Sequence, residues 1–229
     1  MIEIAHLKSS IYDSSFFEER PAQIKIDNIK EGTKDKLEHI VLTSTGHFLN
    51  ISNNILRKSR DIYSTFDGRV SFRKDCDGIC LLHRDNRKFL IFTEVKSNFS
   101  TMEEKAYFQL ITSYVRCKAF LSILEDYIPS EYEEVALAIS YPFVERKPIS
   151  NNSQYQESRQ STYSKYASLK KRYRRQLAEN SQLDMSIADF EINELHLKDG
   201  LINESLHLIH IPIENESESA IINIDKILP

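Results

Sequence analysis

Apolar residues along the chain recur with two different periods, and the period names the element. In residues 33–49, TKDKLEHIVLTSTGHFL, the positions Leu37, Ile40, Val41, Phe48 and Leu49 make an approximate helical stripe behind a Thr33 cap, which predicts a first helix. Residues 62–66 and 69–72 are short β-prone runs around Asp67-Gly68, a dipeptide favoured in hairpin turns, so Asp67 reads as a turn residue. The strongest local pattern is DGICLLH, then RDNR, then KFLIFTEVKS: two apolar runs around a polar turn, hence a β-hairpin with a buried second arm. From Met102 to Leu124, Tyr107, Leu110, Ile111, Tyr114, Cys117, Leu121 and Leu124 keep helical spacing, with Lys105, Gln109, Thr112 and Arg116 on the opposite face. VALAISY, residues 135–141, reads as a further buried strand ended by Pro142.

After Glu145 the chain becomes rich in Ser, Asn, Gln and Tyr, a loop leading into a basic helix. Residues 186–197 and 206–213 alternate well enough to predict two added strands. The expected class is α/β with a mixed α+β sheet, in the order helix, three strands, helix, strand. A single domain over 1–229 would contain a core at 33–141, a basic loop and helix at 146–180, and acidic strands at 184–229.

Composition limits the function classes. At 229 residues and 41% hydrophobic, the chain can bury a core of its own, and a net charge of −4 excludes a uniformly cationic coat. Charge is instead polarised. Arg146, Lys147, Arg159, Lys165, Lys170, Lys171, Arg172, Arg174 and Arg175 face only Glu145 and Glu157, whereas beyond residue 175 acidic residues dominate. Interleaved Tyr155, Tyr163, Tyr166 and Tyr173 offer base stacking or packing, and the spacing of Tyr166 and Tyr173 favours packing. The N-terminus lacks the apolar run of a signal peptide and no stretch approaches a membrane span, so a cytoplasmic protein with no membrane partner is expected. Cys76, Cys80 and Cys117 read as reduced, buried thiols, and the histidines, without zinc-finger spacing, as surface residues. There is no P-loop.

Candidate chemistry lies on the hairpin. Asp77 opens its first arm and Glu94 lies near the end of its second, so the two ends meet. Alternation puts Glu94 and Lys96 on one face and turns Val95 to the other. An acid and a lysine closing the apolar run FLIF are costly to desolvate without a paired or metal-bound role. Asp75 would keep the same face but lie farther from the hairpin end, which favours Asp77.

Asp77-Gly78, Glu94-Val95-Lys96 and the amphipathic helix after them resemble the PD-(D/E)xK nuclease superfamily over roughly residues 33–141, with Cys76 where the family name places proline. The resemblance implies a restriction-endonuclease-like core of αβββαβ order. It implies Mg2+ or Mn2+ bound by Asp77, Glu94 and the Val95 carbonyl, with Lys96 orienting or deprotonating water. Gln109 would be a further catalytic residue on the helix, although a QxxxY spacing is not met, because position 113 is Ser and the tyrosine is Tyr114. Glu38 is the candidate acid of the first helix. DNA is the implied substrate, with RNA not excluded, and Lys165, Lys170, Lys171, Arg172, Arg174 and Arg175 would hold the backbone. Cutting both strands of a duplex needs two such sites, as in a homodimer or a larger complex. The alternative expectation is a non-catalytic nuclease-fold subunit of a nucleic-acid-processing or bacterial defence complex, motivated by the acidic tail.

Overall fold

The computed structural model describes residues 16–27, 37–58, 75–96, 106–124, 127–141, 160–190, 200–213 and 218–228. They build an α+β fold around one mixed eight-stranded sheet. In chain order the elements are β1 (Phe17–Asp27), β2 (His39–Ile51), β3 (Gly78–Arg84), β4 (Arg87–Lys96), α1 (Tyr107–Leu121), β5 (Tyr132–Ser140), α2 (Gln160–Asn180), β6 (Gln182–Ser186), β7 (Ser205–Pro212) and β8 (Ser219–Asn223). The sheet order is β1-β2-β3-β4-β5-β7-β6, with β8 parallel beside β2. β2, β3 and β4 form an antiparallel meander, whereas β4, β5 and β7 run parallel.

The hairpin forms as its sequence predicts. Asp85 and Asn86 take φ of 47° and 67°, so both central turn residues are left-handed, the geometry that matches strand twist in a two-residue loop. The register sets Gly78 opposite Thr93, so Asp77 and Glu94 face each other one step further on. The helix that follows, α1, falls within its predicted segment, and β5 overlaps its predicted run but begins three residues earlier, at Tyr132.

The predicted first helix is a strand. Residues 39–51 are β2, in which Ile40, Leu42, Ser44 and Phe48 point inward, a two-residue period. The helical stripe arose because two inward positions are held by Ser44 and Gly46, which add nothing to an apolar pattern. The β-branched residues Ile40, Val41, Thr43 and Thr45 suit the extended chain. The described order therefore opens on strands, and β1 and β8 were not foreseen. The strand predicted at 186–197 ends where it was expected to start: β6 is Gln182–Ser186, followed by a 3-10 turn at Ile187–Phe190. The runs 62–66 and 69–72, Thr33, and the loop with Tyr155 lie outside the described residues.

β2 bends near Gly46. Its second half pairs with β3, while its first half pairs with β8, and the register with β1 shifts between Pro21 and Gln23 at the same level. The first half of β2, the end of β1 and β8 thereby pack over one face of the central strands. Ile24, Ile26, Ile40, Leu42 and Ile222 share a core there with Ile91, Val95, Leu137 and Ile139. The opposite face carries the other core, in which Leu90, Phe92, Ala136 and Leu208 meet Leu110, Ile111 and Tyr114 of α1 and Tyr173 and Leu177 of α2. Asp225 fastens the bend by accepting hydrogen bonds from Ser44 Oγ (2.5 Å), the Thr45 amide (2.7 Å) and Arg84 Nη1 (3.2 Å).

A Cβ on Gly46 would lie 2.4 Å from the His83 carbonyl oxygen, a backbone atom that cannot swing aside. Gly46→Ala is therefore expected to cost about 3 kcal/mol by forcing the bend apart. Urea denaturation of the variant beside wild type checks this.

Candidate metal centre

The α1 face of the central strands is apolar along its middle, at Leu90, Phe92, Ala136 and Leu208, and turns polar at the carboxyl ends. Asp77 precedes β3, and Glu94 and Lys96 close β4. One row across the sheet holds Glu94, Ala138 and His210, and the next holds Lys96 and Ser140. Carboxyl ends of parallel strands are where open sheets present ligand-binding groups.

Asp77 Oδ2 accepts the Val95 amide at 2.8 Å, which draws the acid from outside the ladder onto the end of β4. The N–H and C=O of one strand residue point to the same side, so the Val95 carbonyl faces Asp77 too, while its side chain enters the opposite core. Glu94 is fully buried. Its Oε1 is ion-paired with Lys96 Nζ, and the Asp77 amide also meets the carboxylate. Burial pushes its carboxyl well above the usual range, and the Asp77 charge pushes it further. Lys96 and the Asp77 amide offset only part of this. Two carboxylates and one ammonium leave a net negative charge out of water, a costly arrangement that a cation relieves.

These donors suit a hard divalent ion that keeps several waters: two carboxylates, one backbone carbonyl and no thiolate. The thiol nearest the site, Cys76, is itself pushed well up by burial. No group of three or more His, Cys, Asp or Glu residues is arranged to hold a metal among the described residues.

The other predicted site residues take different places. Gln109 is buried and donates Nε2 to the Asp75 carbonyl at 2.8 Å, so it braces the segment before Asp77. Asp75 is ion-paired with Arg116, a structural role that leaves Asp77 as the acid beside Glu94. The predicted polar face of α1 is interior at Gln109, Thr112 and Arg116, because further chain covers it, including the Leu56 carbonyl that accepts from Arg116 Nη1 at 3.0 Å. Glu38 is exposed, just before β2, and with that segment extended it sits on no helix. On α2, Lys171 and Arg175 are exposed and Arg174 half-buried. Arg172 is paired with Asp189, and Arg175 lies 3.8 Å from Glu179. Lys165 and Lys170 lie on the same helix, with side chains outside the described set. Tyr173 packs inward against Tyr107, ring centroids 5.4 Å apart, and is not a stacking platform. Cys76, Cys80 and Cys117 are free and buried as expected. No described helix is long and apolar enough to cross a membrane.

Sequence reading missed Asn53, Ser113 and Arg116 around the Asp77 segment, and Ser140 and His210 on the strands beyond β4, in the rows of Lys96 and Glu94. Of these, two had a local signal: Ser140 continues the inward alternation of Ala136 and Ala138 on β5, as His210 does that of Leu206 and Leu208 on β7. Contrary to the surface reading, His210 is buried, and Ser140 Oγ lies 3.1 Å from its Nε2. Burial lowers its pKa from 6.5 to about 4. The unfolded chain therefore takes up a proton that the folded chain refuses between those values, and stability falls as pH drops from 6.5 towards 4. His210 accounts for at most about 2 kcal/mol of loss at pH 5 relative to pH 7. Denaturation midpoints at the two pH values should show a smaller loss in His210→Gln than in wild type.

Comparison of the chain with protein-family models, curated proteins and solved structures gives no match.

Proposed function

We propose that this chain is a metal-dependent nuclease of the PD-(D/E)xK type, with a restriction-endonuclease-like core, that hydrolyses phosphodiester bonds in DNA. The observation that carries the reading is the fully buried Glu94, set between the Asp77 carboxylate and Lys96 at the carboxyl end of β4. The meander β2-β3-β4 followed by α1 and the parallel β5 supports the same family reading.

Asp77, Glu94 and the Val95 carbonyl would hold Mg2+ or Mn2+. Such an ion supplies Lewis acidity, acidifies water and neutralises charge on the transferred phosphoryl group. Lys96 keeps its ammonium at the rim of the site, side chain 15% exposed, where it can orient water and face developing negative charge. Asp77, fixed by the Val95 amide, needs no rearrangement to serve as a ligand. Lys171 is exposed on α2 and suited to phosphate contacts. Arg172 and Arg175 first have to leave Asp189 and Glu179, and the latter contact is a weak surface pair.

The binding-subunit alternative drew on the acidic tail. Three of its acids are engaged within the fold: Asp184 with His207, Asp189 with Arg172 and Tyr173, and Asp225 with the bend of β2.

Incubating the purified chain with single- and double-stranded DNA and with RNA, in Mg2+, Mn2+ or EDTA, tests the proposal. DNA cutting that EDTA stops and Lys96→Ala loses is expected. Metal-dependent cutting that persists in Glu94→Ala and Lys96→Ala contradicts it.

A further inference from the structure

Three residues before β3, Asp75 to Asp77, lie outside its ladder, so their buried backbone groups need partners from elsewhere. Gln109 Nε2 donates to the Asp75 carbonyl at 2.8 Å, and the Cys76 amide donates to Ser113 Oγ at 2.8 Å. Asn53 takes the two carbonyls nearest the site: its Nδ2 donates to the Cys76 oxygen at 3.2 Å and to the Asp77 oxygen at 2.9 Å. It follows β2 by two residues, on the far side of β3 from Glu94.

An asparagine after a strand and before a helical turn ordinarily caps that turn. Here the neighbouring Ser52 does so: its Oγ accepts the Asn54 amide at 3.3 Å and its carbonyl accepts the Ile55 amide at 3.1 Å. The Asn53 side chain is thus spent wholly on the Asp77 segment. Its amide orientation is fixed, because only the nitrogen end can donate to two carbonyls, and its Oδ1 is buried with no hydrogen-bond partner among the described residues. With both hydrogens on successive carbonyls, Asn53 sets the backbone from which the Asp77 carboxylate projects. The Val95 amide then fixes the carboxylate itself.

We infer that Asn53 is a positioning residue of the metal centre, holding the Asp77 backbone so that its carboxylate and that of Glu94 converge on one divalent ion. This rests on the reading of Asp77 and Glu94 as the ligand pair. Partners that orient a ligand without touching the metal typically govern affinity by 10- to 100-fold.

The test is a calorimetric titration of the full chain with Mn2+, without nucleic acid, below the melting temperature of every variant. Asn53→Ala should raise the Kd by about 10-fold or more. Asn53→Gln, which retains the donating amide, should recover part of that loss, and Asn54→Ala, a change at the exposed neighbour, should bind as wild type does. Wild-type Mn2+ affinity in Asn53→Ala, even with a lowered melting temperature, would make Asn53 a structural residue only and overturn the inference. No Mn2+ binding by wild type would overturn the ligand pair itself, and this inference with it.

Discussion

Glu94→Gln is expected to lose DNA cleavage by on the order of 10³-fold and yet to melt at a higher temperature than wild type when no divalent ion is present. Both effects come from one feature. Burial and the nearby Asp77 charge raise the Glu94 carboxyl well above its usual range, more than Lys96 lowers it. An acid whose pKa is raised by folding favours the fold below its unfolded value and opposes it as pH rises through its folded value. At neutral pH a neutral amide of the same size removes that cost. Lys96 loses one counter-charge but keeps a partly exposed side chain and the neighbouring Asp77, so the relief outweighs the lost pair. The amide also removes an anionic ligand, so Mn2+, which should raise the wild-type melting temperature, should leave that of Glu94→Gln nearly unchanged. Differential scanning calorimetry with Mn2+ and with EDTA reads both. A variant that melts lower than wild type in EDTA would show Glu94 to be a structural half of an ion pair with Lys96.

The second large effect is predicted for Arg116→Ala. This guanidinium is 1% exposed, ion-paired with Asp75 and donating to the Leu56 carbonyl at 3.0 Å and the Thr112 carbonyl at 3.2 Å. Truncating it leaves the Asp75 carboxylate buried without its ion-pair partner, along with two carbonyls, and breaking such a pair costs about 3–5 kcal/mol. That is a large share of the stability of an ordinary domain. Adding Asp75→Asn removes the stranded charge and should return part of the loss, so the two changes should be strongly non-additive in urea denaturation. Additive losses would mean that the pair does not act as a unit.

The residues carrying the proposed chemistry were legible because hairpin and helix are local. Positive-φ residues at the turn and an uninterrupted apolar run set the β3-β4 register, and that register alone brings Asp77 opposite Glu94. The rest of the fold depends on contacts distant in sequence. Ser44 can point inward in β2 because Asp225, 181 residues away, receives its hydroxyl. Without that partner the segment shows only the apolar spacing of a helix. Arg116 looked solvent-facing for the same reason, since the groups that satisfy it, Leu56 O and Asp75, come from other elements. Asn53 carried no signal, because nothing near it in sequence marks which carbonyls its amide will meet.

The proposed phosphodiester hydrolysis depends on a divalent ion held by Asp77 and Glu94. It is tested most directly by the rate of cleavage of an end-labelled DNA oligonucleotide as Mn2+ is titrated into wild type and Glu94→Gln. A saturable rise is expected for wild type and no rise above the metal-free baseline for Glu94→Gln. Superimposable curves for the two proteins, or no cleavage by wild type at any Mn2+ concentration, would contradict it.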